Sequence, residues 1–176
     1  MRSHDIEIAA GEGGRFDAYV ALPEAGPAPG VVIMGSVFGV DDDVRRMADG
    51  LAADGFAVAA PDLFWRGDKG PLGRSETDGA RAKARGQNRA AIIEAGVKDL
   101  ADTIAYLRTR PECNGRVAVI GLCYGGPYAI LGPARLGCDA GISMHGTVVE
   151  NYLGELDRVK APLSLHWGDK DHACPP

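Results

Sequence analysis

The chain has 176 residues, 45% of them hydrophobic and 24% charged, with a formal net charge of −5. That length suits one domain with a substantial core. The acidic balance argues against non-specific nucleic-acid binding, and no stretch is long and apolar enough to span a membrane. The N-terminal Met1-Arg2-Ser3-His4-Asp5 lacks an apolar signal core. Cys113, Cys123, Cys138 and Cys174 show neither zinc-ligand spacing nor a dense disulfide framework. A reducing cytoplasm is the expected location.

Alternating residues from Asp5 to Ala10 and from Phe16 to Leu22, joined by Gly11-Glu12-Gly13-Gly14, predict a β-hairpin at a sheet edge. Pro23 to Gly30 reads as a loop. Val31 to Met34 is a buried strand ending in Gly35-Ser36-Val37-Phe38-Gly39. Asp41, Asp42 and Asp43 open a helix to about Ala53, their charge suiting its positive end. Phe56 to Ala60 is the next strand. From Leu63 to Asn88 the chain is polar and glycine-rich, with only scattered helical signal. A strong helix follows from about Arg89 to Arg108, with Ile92, Ile93, Val97, Leu100, Ile104 and Leu107 at helical spacing. A short helix is expected from near Tyr124, broken at Gly132-Pro133. Ala140 to Met144 and Pro162 to Trp167 read as the last two strands. This order predicts an α/β fold, a mostly parallel sheet covered on both faces with an antiparallel N-terminal hairpin. Ligands of such sheets bind beyond the carboxyl ends of the strands. Ser36-Val37, Pro61-Asp62, Cys123, His145 and the stretch Asp169 to His172 should gather there.

The chemistry centres on Val117-Ala118-Val119-Ile120-Gly121-Leu122-Cys123-Tyr124-Gly125-Gly126. An apolar, mostly β-branched strand runs directly into Gly-x-Cys-x-Gly-Gly, the nucleophile-elbow pattern with cysteine in the serine position. Gly121 and Gly125 would let strand and helix pack closely, and the helix N-terminus aimed at the sulfur would favour the thiolate. A cysteine nucleophile needs a base, a group orienting the base, and donors for the oxyanion. Asp171, or Asp169 as second choice, follows a late strand where such a fold places its acid. The backbone amides of Val37 and Tyr124 are the expected oxyanion donors.

With those residues in place, the chain resembles the dienelactone hydrolase family, the carboxymethylenebutenolidases of chloroaromatic degradation. The likeness runs through Phe38-Gly39-Val40, Pro61-Asp62-Leu63, Glu94-Ala95-Gly96-Val97-Lys98-Asp99-Leu100, the Cys123 turn and Gly168-Asp169-Lys170-Asp171-His172. It implies an α/β-hydrolase that opens a lactone or enol ester through a Cys-His-Asp triad and a thioester, without cofactor or metal. Cys123 would be nucleophile, Asp171 the acid, and the Val37 and Tyr124 amides the oxyanion hole. Arg81 would hold a substrate carboxylate, with Ser36 and Phe38 in the substrate wall. Residues 66 to 89 hold seven basic and three acidic side chains, a local charge of +4 that would draw a small anionic ester or lactone.

The chain departs from the family pattern in three ways. The triad histidine has no counterpart before Pro176, so residues 1–176 read as a single domain that is incomplete at its C-terminus. The last strand and helix would be absent, leaving an open sheet edge and exposed apolar surface. His4, His145, His166 and His172 are weak substitutes for the base, and the chain alone is expected to be inactive or nearly so. Ser36 stands where the family has a glutamate contacting the nucleophile. Arg85 and Asn88 stand where aromatic residues are typical, so the pocket should be reshaped. Two other functions compete: a cysteine-elbow amidotransferase or glyoxalase-like enzyme, and a non-catalytic pseudohydrolase that only binds.

Overall fold

A computed structural model describes residues 1–73, 75–87 and 89–171. Arg74, Asn88, His172 and Cys174, which figure in the sequence reading, lie outside them. Strands β1 (Arg2–Ala9) and β2 (Arg15–Leu22) form the expected hairpin, with β1 at a sheet edge. Strand β3 (Ala28–Met34) starts earlier than its apolar run, because the Ala28 amide donates to the Glu112 carbonyl at 2.8 Å. Helix α1 (Asp42–Ala53) is capped by Asp41, whose Oδ1 accepts from the Val44 amide at 3.0 Å. Strand β4 (Ala57–Pro61) follows.

Helix α2 (Glu76–Gln87) occupies the segment expected to have scattered helical signal only. It lacks an apolar stripe; its buried residues are Ala82 and Arg85. Its start is fixed locally instead. Ser75 Oγ accepts from the Asp78 amide at 3.0 Å and donates to Asp78 Oδ2 at 2.8 Å. That reciprocal pattern was written in Ser75-Glu76-Thr77-Asp78. Helix α3 (Arg89–Arg108) has the expected bounds.

Strand β5 (Cys113–Leu122) leads into a 3₁₀ turn over Cys123–Gly125, and helix α4 (Tyr128–Leu136) follows. Cys113 begins the strand and is buried. Gly132-Pro133 does not end α4, which runs on to Gly137 in the left-handed conformation. Pro133 has no N–H for the Ala129 carbonyl. That carbonyl instead points at Gly141, where a Cβ would stand 1.9 Å from it. Strand β6 (Ala140–Met144), a second 3₁₀ segment (Val149–Arg158) and strand β7 (Leu163–His166) complete the described chain. The second 3₁₀ segment has no counterpart in the sequence reading.

The sheet order is β1-β2-β4-β3-β5-β6-β7, parallel from β4 through β7. Side-chain alternation divides the core in two. Val20, Val32, Met34, Val117 and Val119 face α3 and α4, packing with Ile93, Leu100, Ile104, Tyr128 and Leu131. Tyr19, Val31, Ile33, Val58 and Ile120 face α1, packing with Val44, Ala48 and Ala52. Among the described residues β7 pairs only with β6, and Met144 and Trp167 beside it are exposed.

The order also creates a switch point. From β3 the chain crosses to β4 on one side, then returns past β3 to β5 on the other. The loops after β3 and β5 therefore part, and their divergence opens a crevice at the carboxyl ends of the strands.

Candidate active site

Cys123 sits at that crevice in a left-handed conformation, with φ of 51°. A non-glycine residue there is strained, so the surroundings must enforce it. They do so through backbone contact. A Cβ at Gly121 would stand 2.2 Å from the Gly125 carbonyl oxygen. One at Gly126 would stand 2.3 Å from the Gly146 Cα. The bend is thus wedged between its own strand and the loop after β6. Its carbonyl is also held: Cys123 O accepts from the Gly126 and Thr147 amides, each at 3.0 Å.

Cys123 lines an open cavity of about 900 Å³ with Ser36, Phe38, Leu72 and His145. Ser36 Oγ accepts from the Phe38 amide at 3.2 Å, which tightens the loop after β3. The Phe38 carbonyl accepts from the Leu72 amide at 2.8 Å and so anchors the segment ahead of α2. Val37 belongs to the same loop and Tyr124 to the bend. Among the described residues no acceptor takes the Val37 N–H. The Tyr124 N–H lies against the Cys123 sulfur.

Asp171 reaches the same place from the loop after β7. Two bonds tie the β6 and β7 ends together: His145 N to His166 O at 2.8 Å, and Trp167 Nε1 to Gly146 O at 2.8 Å. The Asp171 carboxylate is close enough to oppose ionisation of Cys123. Asp169 is exposed.

Burial pushes the Cys123 thiol above the usual range, and Asp171 adds to the effect. The Tyr124 amide, the Arg89 charge and the Thr147 hydroxyl pull the other way. The sequence had suggested a net preference for thiolate. The amide at the helix end acts in that direction, and desolvation outweighs it.

Arg66, Arg81 and Arg85 of the basic segment are committed elsewhere. Arg81 pairs with Asp68 and Asp78 and does not line the cavity. Arg85 is buried over the Phe64 ring, at 4.1 Å from its centroid, and donates to the carbonyls of Val37 (2.9 Å), Gly70 (2.8 Å) and Asp68. It is a structural clamp on both cavity loops, not a pocket residue. Arg66 chelates the buried Asp99 at 2.7 and 2.9 Å. The charged residues that do line the cavity are Asp41, Asp42, Asp43 and Arg46, at the start of α1.

Of the described histidines, His145 lines the cavity, while His166 Nε2 is bonded to Ser164 Oγ at 2.7 Å and His4 lies on β1. Among the described residues no group of three or more His, Cys, Asp or Glu is arranged to hold a metal ion. No helix there is long and apolar enough to cross a membrane. The sequence reading missed Arg89 and Thr147. The Arg89 guanidinium stacks 4.5 Å from the Tyr124 ring centroid, and its Nη2 donates to Thr147 Oγ1. No sequence signal marked Thr147.

Known proteins share this fold and much of this sequence. The profile of the Dienelactone hydrolase family matches residues 16–176. Carboxymethylenebutenolidase 1 of Cupriavidus pinatubonensis is 37% identical over 172 residues, covering 98% of this chain and 74% of the relative. The carboxymethylenebutenolidase of a Pseudomonas species is 36% identical, covering 98% and 72%. The solved structure named m3DLH superimposes with a TM-score of 0.74 at 28% identity, covering 98% of this chain and 70% of that one. A putative dienelactone hydrolase from Klebsiella pneumoniae, at 23% identity and a TM-score of 0.75, shares the fold, covering 99% and 76%. On the profile match and the near-complete alignment with these relatives, the chain belongs to the dienelactone hydrolase family.

Proposed function

We propose that this chain hydrolyses a small ester or lactone with Cys123 as nucleophile. The observation that carries the reading is the strained left-handed Cys123, exposed to the cavity at the β3–β5 switch point with the Tyr124 amide against its sulfur. In this mechanism the Cys123 thiolate attacks the carbonyl carbon, and the carbonyl electrons move to oxygen. The two amides hold that oxyanion. Collapse expels the alkoxide or enolate and leaves a thioester, which water hydrolyses. A histidine oriented by Asp171 carries the proton in both halves.

Among the described residues that histidine is not in place: His145 lines the cavity but follows β6 rather than facing Asp171 from a further loop. With no such histidine among the described residues, which we take as part of one domain, both acylation and thioester hydrolysis should be slow. A substrate carboxylate would compete with Asp68 and Asp78 for Arg81. The lining formed by Asp41, Asp42, Asp43 and Arg46 gives less support to an anionic substrate than the basic segment did. Among the described residues the free cysteines Cys113, Cys123 and Cys138 suit a reducing cytoplasm.

The test is intact-mass analysis after incubation with dienelactone and with a neutral aryl ester, run beside Cys123→Ala. An acyl adduct on Cys123, absent from the variant, supports the reading. Hydrolysis undiminished in Cys123→Ala would overturn it. A thiol that never acylates would favour binding without catalysis, a reading to which the raised thiol also lends itself. Ammonia released from glutamine would favour the amidotransferase alternative.

A further inference from the structure

We propose that Arg89 is a positioning residue for Cys123, acting through Thr147 to hold the bend and to turn a hydroxyl and a positive charge toward the sulfur. The inference rests on the reading of Cys123 as the attacking group.

Arg89 is the first residue of α3, yet its side chain reaches behind the bend. Nη2 donates to the carbonyls of Tyr124 and Thr147, each at 3.3 Å, and to Thr147 Oγ1. In return the Tyr124 hydroxyl donates to the Arg89 carbonyl at 3.5 Å. One guanidinium thus ties together the residue after Cys123 and the loop after β6, which are otherwise joined by the Thr147 amide bond to Cys123 O.

The hydroxyl of Thr147 has one proton and two lone pairs. Arg89 occupies a lone pair, which leaves the proton free to point toward Cys123. There it can reach the carbonyl at 3.4 Å or the sulfur. Thr147 is 8% exposed, so water competes poorly for that proton. The hydrogen-bond partners of Arg89 are neutral, and its Nε is buried without a partner. Its charge is therefore not cancelled by the groups it binds. A guanidinium in this position suits a bend where Ser36 supplies no carboxylate base.

Other titratable groups line the same cavity or act on the same sulfur. Asp171 comes from the loop after β7, His145 from the loop after β6, and Asp41, Asp42, Asp43 and Arg46 from the start of α1 across the cavity. Of these, Asp171 opposes Arg89 directly.

The experiment is iodoacetamide alkylation of residues 1–176 against pH, read by mass spectrometry on the Cys123 peptide. Thermal melts confirm that each variant is folded. Arg89→Met should move the half-reaction point up by about one pH unit, a roughly tenfold slower reaction at neutral pH. Arg89→Lys, which keeps the charge but loses the fork, should fall between. Thr147→Val should shift the profile the same way by less, and Thr147→Ser should restore it. Should Arg89→Met not fold, the Thr147→Val and Thr147→Ser pair decides. A Thr147→Val or folded Arg89→Met profile superimposable on the parent overturns the proposal. The readout is the thiol itself, so the outcome stands apart from hydrolysis: Cys123→Ala judges the nucleophile, and the alkylation profile judges Arg89.

Discussion

Gly125 lies so near the end of β3 that a Cβ added to it would stand 2.0 Å from the Met34 carbonyl oxygen. The obstacle is backbone, so no rotamer change relieves it. Gly125→Ala must push the Cys123 bend away from β3 or deform the strand. A loss of about 3 kcal/mol is expected, measured as the shift of the urea midpoint at constant slope. Gly86 in α2 is the control, because a Cβ there meets nothing within 4 Å. Gly86→Ala should stabilise by about 0.5–1 kcal/mol through helix propensity and chain entropy. Equal effects at the two sites would mean that the close approach at the bend is not what fixes it.

Asp99 ties α3 to the segment after β4. Its carboxylate is fully buried and accepts from both Arg66 Nη atoms and from Trp65 Nε1 at 3.2 Å. Asp99→Ala removes one side of that set and leaves Arg66 and Trp65 facing a void. A cost of about 3 kcal/mol is expected. Burial nonetheless holds the Asp99 carboxyl above the usual carboxylate range, with Arg66 only partly offsetting it. The sign follows from linkage. A group raised in the folded state contributes stability that is fully present below its unfolded value of about 3.9 and is lost as pH rises through the folded value. The parent should therefore gain stability relative to Asp99→Asn as the pH falls through that window. Denaturation of both proteins at a series of acidic pH values checks it.

Much of this architecture was legible because its signals are local. The acidic run at Asp41 marked the start of α1, and period-3.6 spacing of Ile93, Leu100, Ile104 and Leu107 marked α3 within its observed bounds. Cys123, Ser36 and Phe38 converge on one cavity because parallel strands deliver the residues after them to one rim. The misses have physical causes. Helix α2 carries alanines and charges rather than an apolar stripe, so periodicity was silent while the Ser75–Asp78 pattern was not. Arg85 read as a pocket residue because nothing in its neighbourhood reveals the carbonyls of Val37 and Gly70 that receive it. Arg89 and Thr147 stand 58 positions apart and meet only once the sheet is assembled.

Two cysteines should differ in kind when titrated. Burial raises both thiols, Cys138 to about 12 and Cys123 above its usual range. A raised thiol is neutral and unreactive until the pH passes its folded value. Cys123 lines the cavity and should alkylate with a midpoint above the ordinary thiol value of about 8.5. Cys138, 3% exposed, should remain unmodified in the folded protein throughout that range. In urea both should return to the ordinary value. Peptide-resolved alkylation rates report the two sites together, and a Cys123 midpoint below about 8.5 would show that the amide, Arg89 and Thr147 outweigh burial.

Asp171 is expected to act on Cys123 with two opposite signs. As a negative charge near the sulfur it disfavours the thiolate. Asp171→Asn should therefore move the alkylation midpoint down, opposite to Arg89→Met. As the acid that orients the proton carrier it favours turnover, so the same substitution should lower ester hydrolysis, by several powers of ten where the histidine is in place. A more ionised thiol with less catalysis would separate the nucleophile's charge from the delivery of its proton. Asp169→Asn is the control: that side chain is exposed and should leave both readouts as they are. If Asp171→Asn leaves the midpoint unmoved while Asp169→Asn shifts it, the acid of the site is Asp169 and the loop after β7 presents its carboxylates the other way round.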